Sequence, residues 1–168
     1  MELRSEERKA LDALIIKKIE DRGVLIKQIG ELTYFLQEKY YANLTVDDCI
    51  EHVLAVLRKR EVQNAILTGI MLDELAERKL LDSPLQDMIS KDYSLYGIDE
   101  ILAFSIVNVY GSIGFTNFGY IDKVKPGILK ELDIKGDSKG MCHTFLDDLV
   151  GAVAAAAASR MAHKGEFE

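Results

Sequence analysis

Apolar residues recur along this chain at helical spacing almost without interruption, and the strict alternation that marks strands is nearly absent. Ser5 with Glu6 and Glu7 reads as an N-cap followed by an acidic first turn. Leu11, Leu14, Ile15 and Ile19 then form one stripe that ends at Gly23. A second helix is predicted from about Leu25 to Tyr40, with Ile26, Ile29, Leu32 and Leu36 inward. Thr45-Val46-Asp47-Asp48 is a capping-box variant opening a third, whose apolar face is Cys49, Val53, Leu54 and Leu57. From Glu61 to Leu80, Val62, Ala65, Ile66, Gly69, Leu72, Leu75 and Ala76 share a stripe. Ser83-Pro84 starts a short helix, with Ser as N-cap and Pro at the first helical position.

Beyond Gly97 the pattern turns apolar on most sides. Ile101, Leu102, Ser105, Ile106, Val109 and Ile113 predict a long helix near the centre of a bundle, weakened at Gly111 and Gly114. Phe115 to Tyr120 suggests a bend, and Asp133 to His143 a polar, glycine-bearing loop. The final helix opens at Thr144, runs through Ala154 to Ala158 and frays by Lys164. The fold class is therefore all-α: one helical domain over residues 1–168, with an apolar central helix surrounded by the others.

Composition narrows the function. With 168 residues the chain is long enough for one domain with a real core, and its 48% apolar content excludes disorder. A net charge of −7, without a basic cluster, argues against nucleic-acid binding. Cys49 and Cys142 lie far apart, so neither a disulfide framework nor a zinc site is indicated, and a reducing compartment fits. No signal peptide or membrane-spanning stretch is evident, so the expectation is a soluble, cytoplasmic protein. The high apolar content and small-residue helix surfaces predict self-association as a homo-oligomer.

Three acidic clusters fall at expected helix ends: Asp99-Glu100, Asp122 with Lys125-Pro126, and Asp147-Asp148. Carboxylates at the edge of so apolar a helix as 145–158 need a compensating cation or donors. Acids from neighbouring helix ends could converge on Mg²⁺, which takes oxygen ligands and favours phosphate substrates. Lys125 would then contact phosphate, as could Lys135 or Lys139, and His143 suits a general acid or a ligand. Each cluster has a plainer reading. Thr144-x-x-Asp147 is itself a capping box, Asp99 and Glu100 complement a helix dipole, and Asp122 with Lys125 makes an i, i+3 ion pair. Gly151 and the alanines after it would serve close helix packing. His52 and His163 have no partners visible in the sequence.

Glu74 and Glu77 share a helix face, like half of the metal site of the all-α nucleoside triphosphate pyrophosphohydrolases. The second acidic motif of those enzymes is missing, and the pair reads as a solvated face beside Arg78 and Lys79. The stronger resemblance lies in residues 96–160. Asp122-Lys123-Val124-Lys125-Pro126-Gly127-Ile128 with trailing Asp133 is similar to the Asp-x-x-Lys-Pro segment of the phosphatidylglycerophosphatase A family. The run from Phe145 to Val153 resembles its Asp-Asp block, with Gly151-Ala152 in place of Ala-Gly, and Asp99-Glu100 matches its Asp-Glu pair. The family's N-terminal Pro-Gly-Thr segment has no clear counterpart.

The resemblance implies Mg²⁺-dependent removal of a phosphate monoester from a lipid, here or from a small molecule. It makes Asp99, Glu100, Asp122, Asp147 and Asp148 metal ligands or bases, and Lys125 a phosphate contact. A lipid substrate would require peripheral membrane contact, for which Phe115, Phe118 and Tyr120 are the candidates. The alternative is a non-catalytic helical protein of the same fold that keeps its acids to bind a metal or a partner.

Overall fold

A computed structural model describes residues 5–138 and 140–165. Its centre is the alanine-rich helix α9 (Leu146–Lys164), in which Ala152 and Ala154 to Ala158 expose nothing. Methyl-sized side chains around the whole circumference let neighbours approach from every side. Six others pack on it: α2 (Ile26–Gln37), α3 (Val46–Leu57), α4 (Arg60–Glu77), α6 (Ile98–Val107), α7 (Ser112–Val124) and α8 (Ile128–Ser138). Helix α1 (Ser5–Asp21) lies outside against α4, α2 and α3, and the short α5 (Leu85–Ser90) against α4. The described residues contain no strand.

The bundle therefore has one apolar central helix, but a different one from that expected. The 98–113 stretch breaks into α6, a 3₁₀ turn at Asn108–Tyr110, and α7, with Gly111 between them at φ 76. Such a φ suits glycine, and it reverses the chain so that α6 and α7 cover two sides of α9. Ala103, Ile106 and Val107 face inward, whereas Ile98, Ile101, Val109 and Ile113 stay exposed. The helix is apolar on both faces but buried on one.

Two expected irregular segments are helical. Helix α7 runs straight through Phe115 to Tyr120. Phe118 is buried edge-on against Phe104 at 5.5 Å, whereas Phe115 and Tyr120, the latter stacked on Phe35 at 6.1 Å, stay exposed on a helix rather than on a turn. Helix α8 takes up the first half of the polar segment, because Ile128, Leu129 and Leu132 fall at i, i+1 and i+4 and bury together. Lys139 is outside the described residues, as is the side chain of Lys135.

Local signals elsewhere hold. Thr45 Oγ1 accepts the Asp48 N–H at 3.2 Å, and the Asp48 carboxylate accepts the Thr45 N–H at 2.9 Å. Pro84, not Ser83, occupies the N-cap of α5. His52 is buried on the apolar face of α3, with Nδ1 2.9 Å from an Arg160 Nη. Glycine is needed at Gly69, where an added Cβ would stand 2.6 Å from Leu149 Cδ1 and 3.0 Å from Phe145 Cβ. At Gly151 it would make only ordinary contacts of 3.6 Å or more, so the close approach to α9 is built at Gly69.

Glu74 and Glu77 are not a solvated face. Lys18 reaches Glu74 at 2.9 Å and the buried Arg22 forms a two-point pair with Glu77, tying α1 to α4. No described helix is long and apolar enough to cross a membrane.

Candidate functional site

Three helix ends meet at one side of the bundle. The first turn of α6 brings Asp99 and Glu100, the last turn of α7 brings Asp122 and then Lys125, and the first turn of α9 brings Asp147 and Asp148. With Asp92 to Tyr96 and Asp133 they line a cavity of about 400 Å³. All five acids that the sequence marks as metal ligands thus share one space, together with Lys125. Asp92 and Asp133 join them, giving seven carboxylates against one ammonium in the lining.

Lys125 closes α7 in the left-handed region, with φ 46 and ψ 56. That backbone is uncommon for a residue with a Cβ, and it sends the side chain back over the cavity. Its Nζ lies 2.7 Å from Asp122 Oδ1, 2.7 Å from Asp147 Oδ2 and 3.9 Å from Asp148 Oδ1. The i, i+3 pair of Asp122 and Lys125 is present, but it is half-buried and shared with α9. Asp147 is bound to Lys125, so the capping-box reading with Thr144 fails. Helix α9 begins at Leu146 with Phe145 as N-cap, and the Thr144 hydroxyl donates to the Ile89 carbonyl at 2.6 Å.

The charge imbalance shows in the acids themselves. Burial, then the neighbouring Asp147, pushes the Asp148 carboxyl up to about 8. Asp92 is pushed to about 6 by desolvation and by Asp147 and Asp99. Asp147 is also raised by burial, despite Lys125. Burial works against the Lys125 ammonium, but Asp147 and Asp122 hold it above its usual range. Asp99 Oδ1 is buried without a hydrogen-bond partner among the described residues.

His143 does not line this cavity. It stands, mostly buried, in the wall of an adjoining one of about 230 Å³, with Ser90, Lys91, Leu132 and Met141. Asp92, Asp133, Thr144 and Asp147 are common to both spaces. Its Nδ1 is 3.1 Å from the Leu132 carbonyl, which fixes the ring. Beside it, Cys142 is an inert thiol, pushed up to about 11 by burial and by Asp73.

Asp73 is the important residue that the sequence reading passed over. It exposes nothing, and its carboxylate accepts the N–H groups of Phe145 (3.1 and 3.2 Å) and Leu146 (3.0 Å). Thus α9 receives its N-terminal cap from α4 rather than from its own chain. The signal was legible: Asp73 follows Gly69 by four residues and sits among Ile66, Ile70 and Ala76, a charge on an apolar stripe.

The lining suits a hard divalent cation, since every donor is oxygen and negative charge is in excess. Among the described residues, no three acidic, histidine or cysteine side chains are already gathered at ligand spacing; the Lys125 ammonium bridges the acids instead. The sequence matches the family described as Phosphatidylglycerophosphatase A over residues 22–163, well beyond the 96–160 segment that carried the first resemblance. The chain belongs to the phosphatidylglycerophosphatase A family. Within it, YutG of Bacillus subtilis is 61% identical over 160 residues, covering 95% of either chain. Two solved structures superpose along nearly the whole length. The low temperature requirement C protein of Listeria monocytogenes shows a TM-score of 0.88 at 61% identity over 93% of this chain and 97% of that one. The Bacillus subtilis protein ypjQ shows a TM-score of 0.89 at 53% identity over 95% and 97%.

Proposed function

We propose that this member of the phosphatidylglycerophosphatase A family is a phosphoric monoester hydrolase acting in the carboxylate cavity on a phosphorylated lipid or a small phosphate monoester. The supporting observation is the convergence of Asp99, Glu100, Asp122, Asp147 and Asp148 from three helix ends around Lys125. Those five acids would hold Mg²⁺, which when bound supplies polarisation of a phosphoryl oxygen and a lowered pKa for bound water. Lys125 leaves its carboxylate partners to meet phosphate oxygens as a compact positive charge. Asp148, which a cation in the cavity would keep ionised, would take the proton of the attacking water. His143, in the adjoining space beside Asp147, serves the leaving alcohol as a hydrogen-bonding or proton-donating group.

A lipid substrate brings with it peripheral contact with a bilayer. Phe115 and Tyr120 are exposed on α7 while Phe118 is buried, and Tyr93 and Leu95 stand exposed in the cavity lining and offer further apolar contact there. A homo-oligomeric state belongs to the same proposal. The ion-paired Lys125 favours a second reading, in which the acids bind a metal or a partner without catalysis.

The test is phosphate release from phosphatidylglycerophosphate vesicles and from p-nitrophenyl phosphate, with and without Mg²⁺. The hydrolase reading expects Mg²⁺-dependent release that Asp148→Ala lowers at least about a hundredfold. Release no greater than that of Asp148→Ala on every substrate defeats it and leaves the binding protein.

A further inference from the structure

Residues 142–146 lead into the aspartate pair, and the side of the bundle away from the cavity holds them by their backbone. Glu77 accepts the Cys142 N–H at 2.8 Å, and Arg22 donates to the Cys142 carbonyl at 2.6 Å. Asp73 takes the amides of Phe145 and Leu146. The Cys142 Sγ lies 3.5 Å from Asp73 Oδ1, and the Thr144 hydroxyl is spent on Ile89. Both carboxylates come from the last turns of α4, which Gly69 allows to lie close against α9.

A helix start with free amides could shift or fray by a residue. One gripped at two successive amides by a carboxylate on another helix has a fixed register. Asp147 and Asp148 follow at once, so the register determines which carboxylate oxygens face Asp122, Asp99 and Lys125.

We propose that Asp73 is a positioning residue for the site: by fixing the first amides of α9 from behind, it sets where the Asp147 and Asp148 carboxylates stand in the cavity. This rests on the reading that the aspartate pair belongs to the reacting site. Asp73 itself does not line the cavity, and its contribution is geometric, through Phe145 and Leu146. A displacement of the pair by about 1 Å is enough to lower turnover by up to about a hundredfold.

The experiment compares wild type, Asp73→Asn and Asp148→Asn, each confirmed as folded by circular dichroism. Mn²⁺ affinity is read by electron paramagnetic resonance, and kcat and KM with p-nitrophenyl phosphate. Asp73→Asn keeps size and one acceptor oxygen. It is expected to weaken Mn²⁺ binding and lower kcat, each by at least about tenfold, with KM within about threefold. A folded Asp73→Asn with wild-type Mn²⁺ affinity and kcat, beside an Asp148→Asn that loses both, overturns the positioning role and leaves the site reading intact. Wild-type behaviour of Asp148→Asn defeats the site reading and the positioning role together. If Asp73→Asn does not fold, amide exchange in the wild-type protein decides. Strong protection at Phe145 and Leu146 that increases further with Mg²⁺ supports the proposal, and protection indifferent to Mg²⁺ overturns it.

Discussion

Two buried aspartates stand near the start of α9, one behind it and one in front, and their surroundings are opposite. Burial raises both to about 8. Around Asp73, two backbone amides, a thiol and the charge of Arg22 work against that rise. Around Asp148 the neighbours Asp147, Asp122 and Asp99 add to it, and the nearest cation, Lys125, is 3.9 Å away and already bonded to two other acids. A buried carboxylate with its donors in place is part of the architecture. One crowded by other carboxylates has capacity left for a cation. The same residue type, equally hidden, thus does two jobs, and the partners rather than the burial tell them apart.

Substitution should separate the two most strongly. Above about pH 8, Asp148→Asn removes a charge that the metal-free fold tolerates poorly. It is expected to raise the melting temperature of metal-free protein while lowering turnover at least about a hundredfold. Asp73→Ala is expected to act in the opposite sense on stability. Leaving two buried amides without an acceptor costs about 1–3 kcal/mol for each, at roughly 2–4 °C of melting temperature per kcal/mol in a chain of this size. Calorimetry on the two variants checks both signs, and a fall in melting temperature for both would erase the contrast.

Linkage to pH sharpens it. A carboxyl raised in the folded state stabilises below its unfolded value, near 4, and that stability is lost as pH rises through the folded value, about 8 for Asp148. Metal-free protein should therefore lose stability between roughly pH 5 and 8. On the proposed reading Mg²⁺ would compete with the proton, so its stabilising effect should grow across the same window. It should approach about 2.7 kcal/mol at a concentration a hundredfold above its dissociation constant. Thermal scans at pH 6 and 8.5, with and without Mg²⁺, measure this; an equal shift at both contradicts the assignment.

Asp48 supplies the mildest comparison. It is an exposed carboxylate held below its usual range by the Thr45 side chain and amide. Thr45→Ala should cost only about 1 kcal/mol and leave turnover and Mg²⁺ response unchanged.

Much of this was legible in the chain. Helical periodicity marked the fold class, Thr45 and Asp48 marked their helix start, and the Asp-Glu, Asp-x-x-Lys-Pro and Asp-Asp segments marked the residues that gather in the cavity. Periodicity failed where two helices of similar apolarity competed for the centre. Burial on all sides needs small volume as well as low polarity, and the run from Ala154 to Ala158 has it while Ile98 to Ile113 does not. The polar stretch after Asp133 hid Ile128, Leu129 and Leu132, whose burial continues a helix into it. Asp147 matched a capping box in spacing, but Thr144 was already committed to Ile89 across the bundle. Asp73 stood out locally as a charge on an apolar stripe, but the amides that explain it lie some seventy residues away, so its role was not readable from the stripe alone.

The most direct measurement is anomalous diffraction from a crystal of this protein soaked in Mn²⁺. The account predicts a peak in the cavity between the starts of α6 and α9 and the end of α7, with Asp147 or Asp148 among the oxygen ligands. Saturating Mn²⁺ with no peak there, or with the ion bound on another surface, would contradict it.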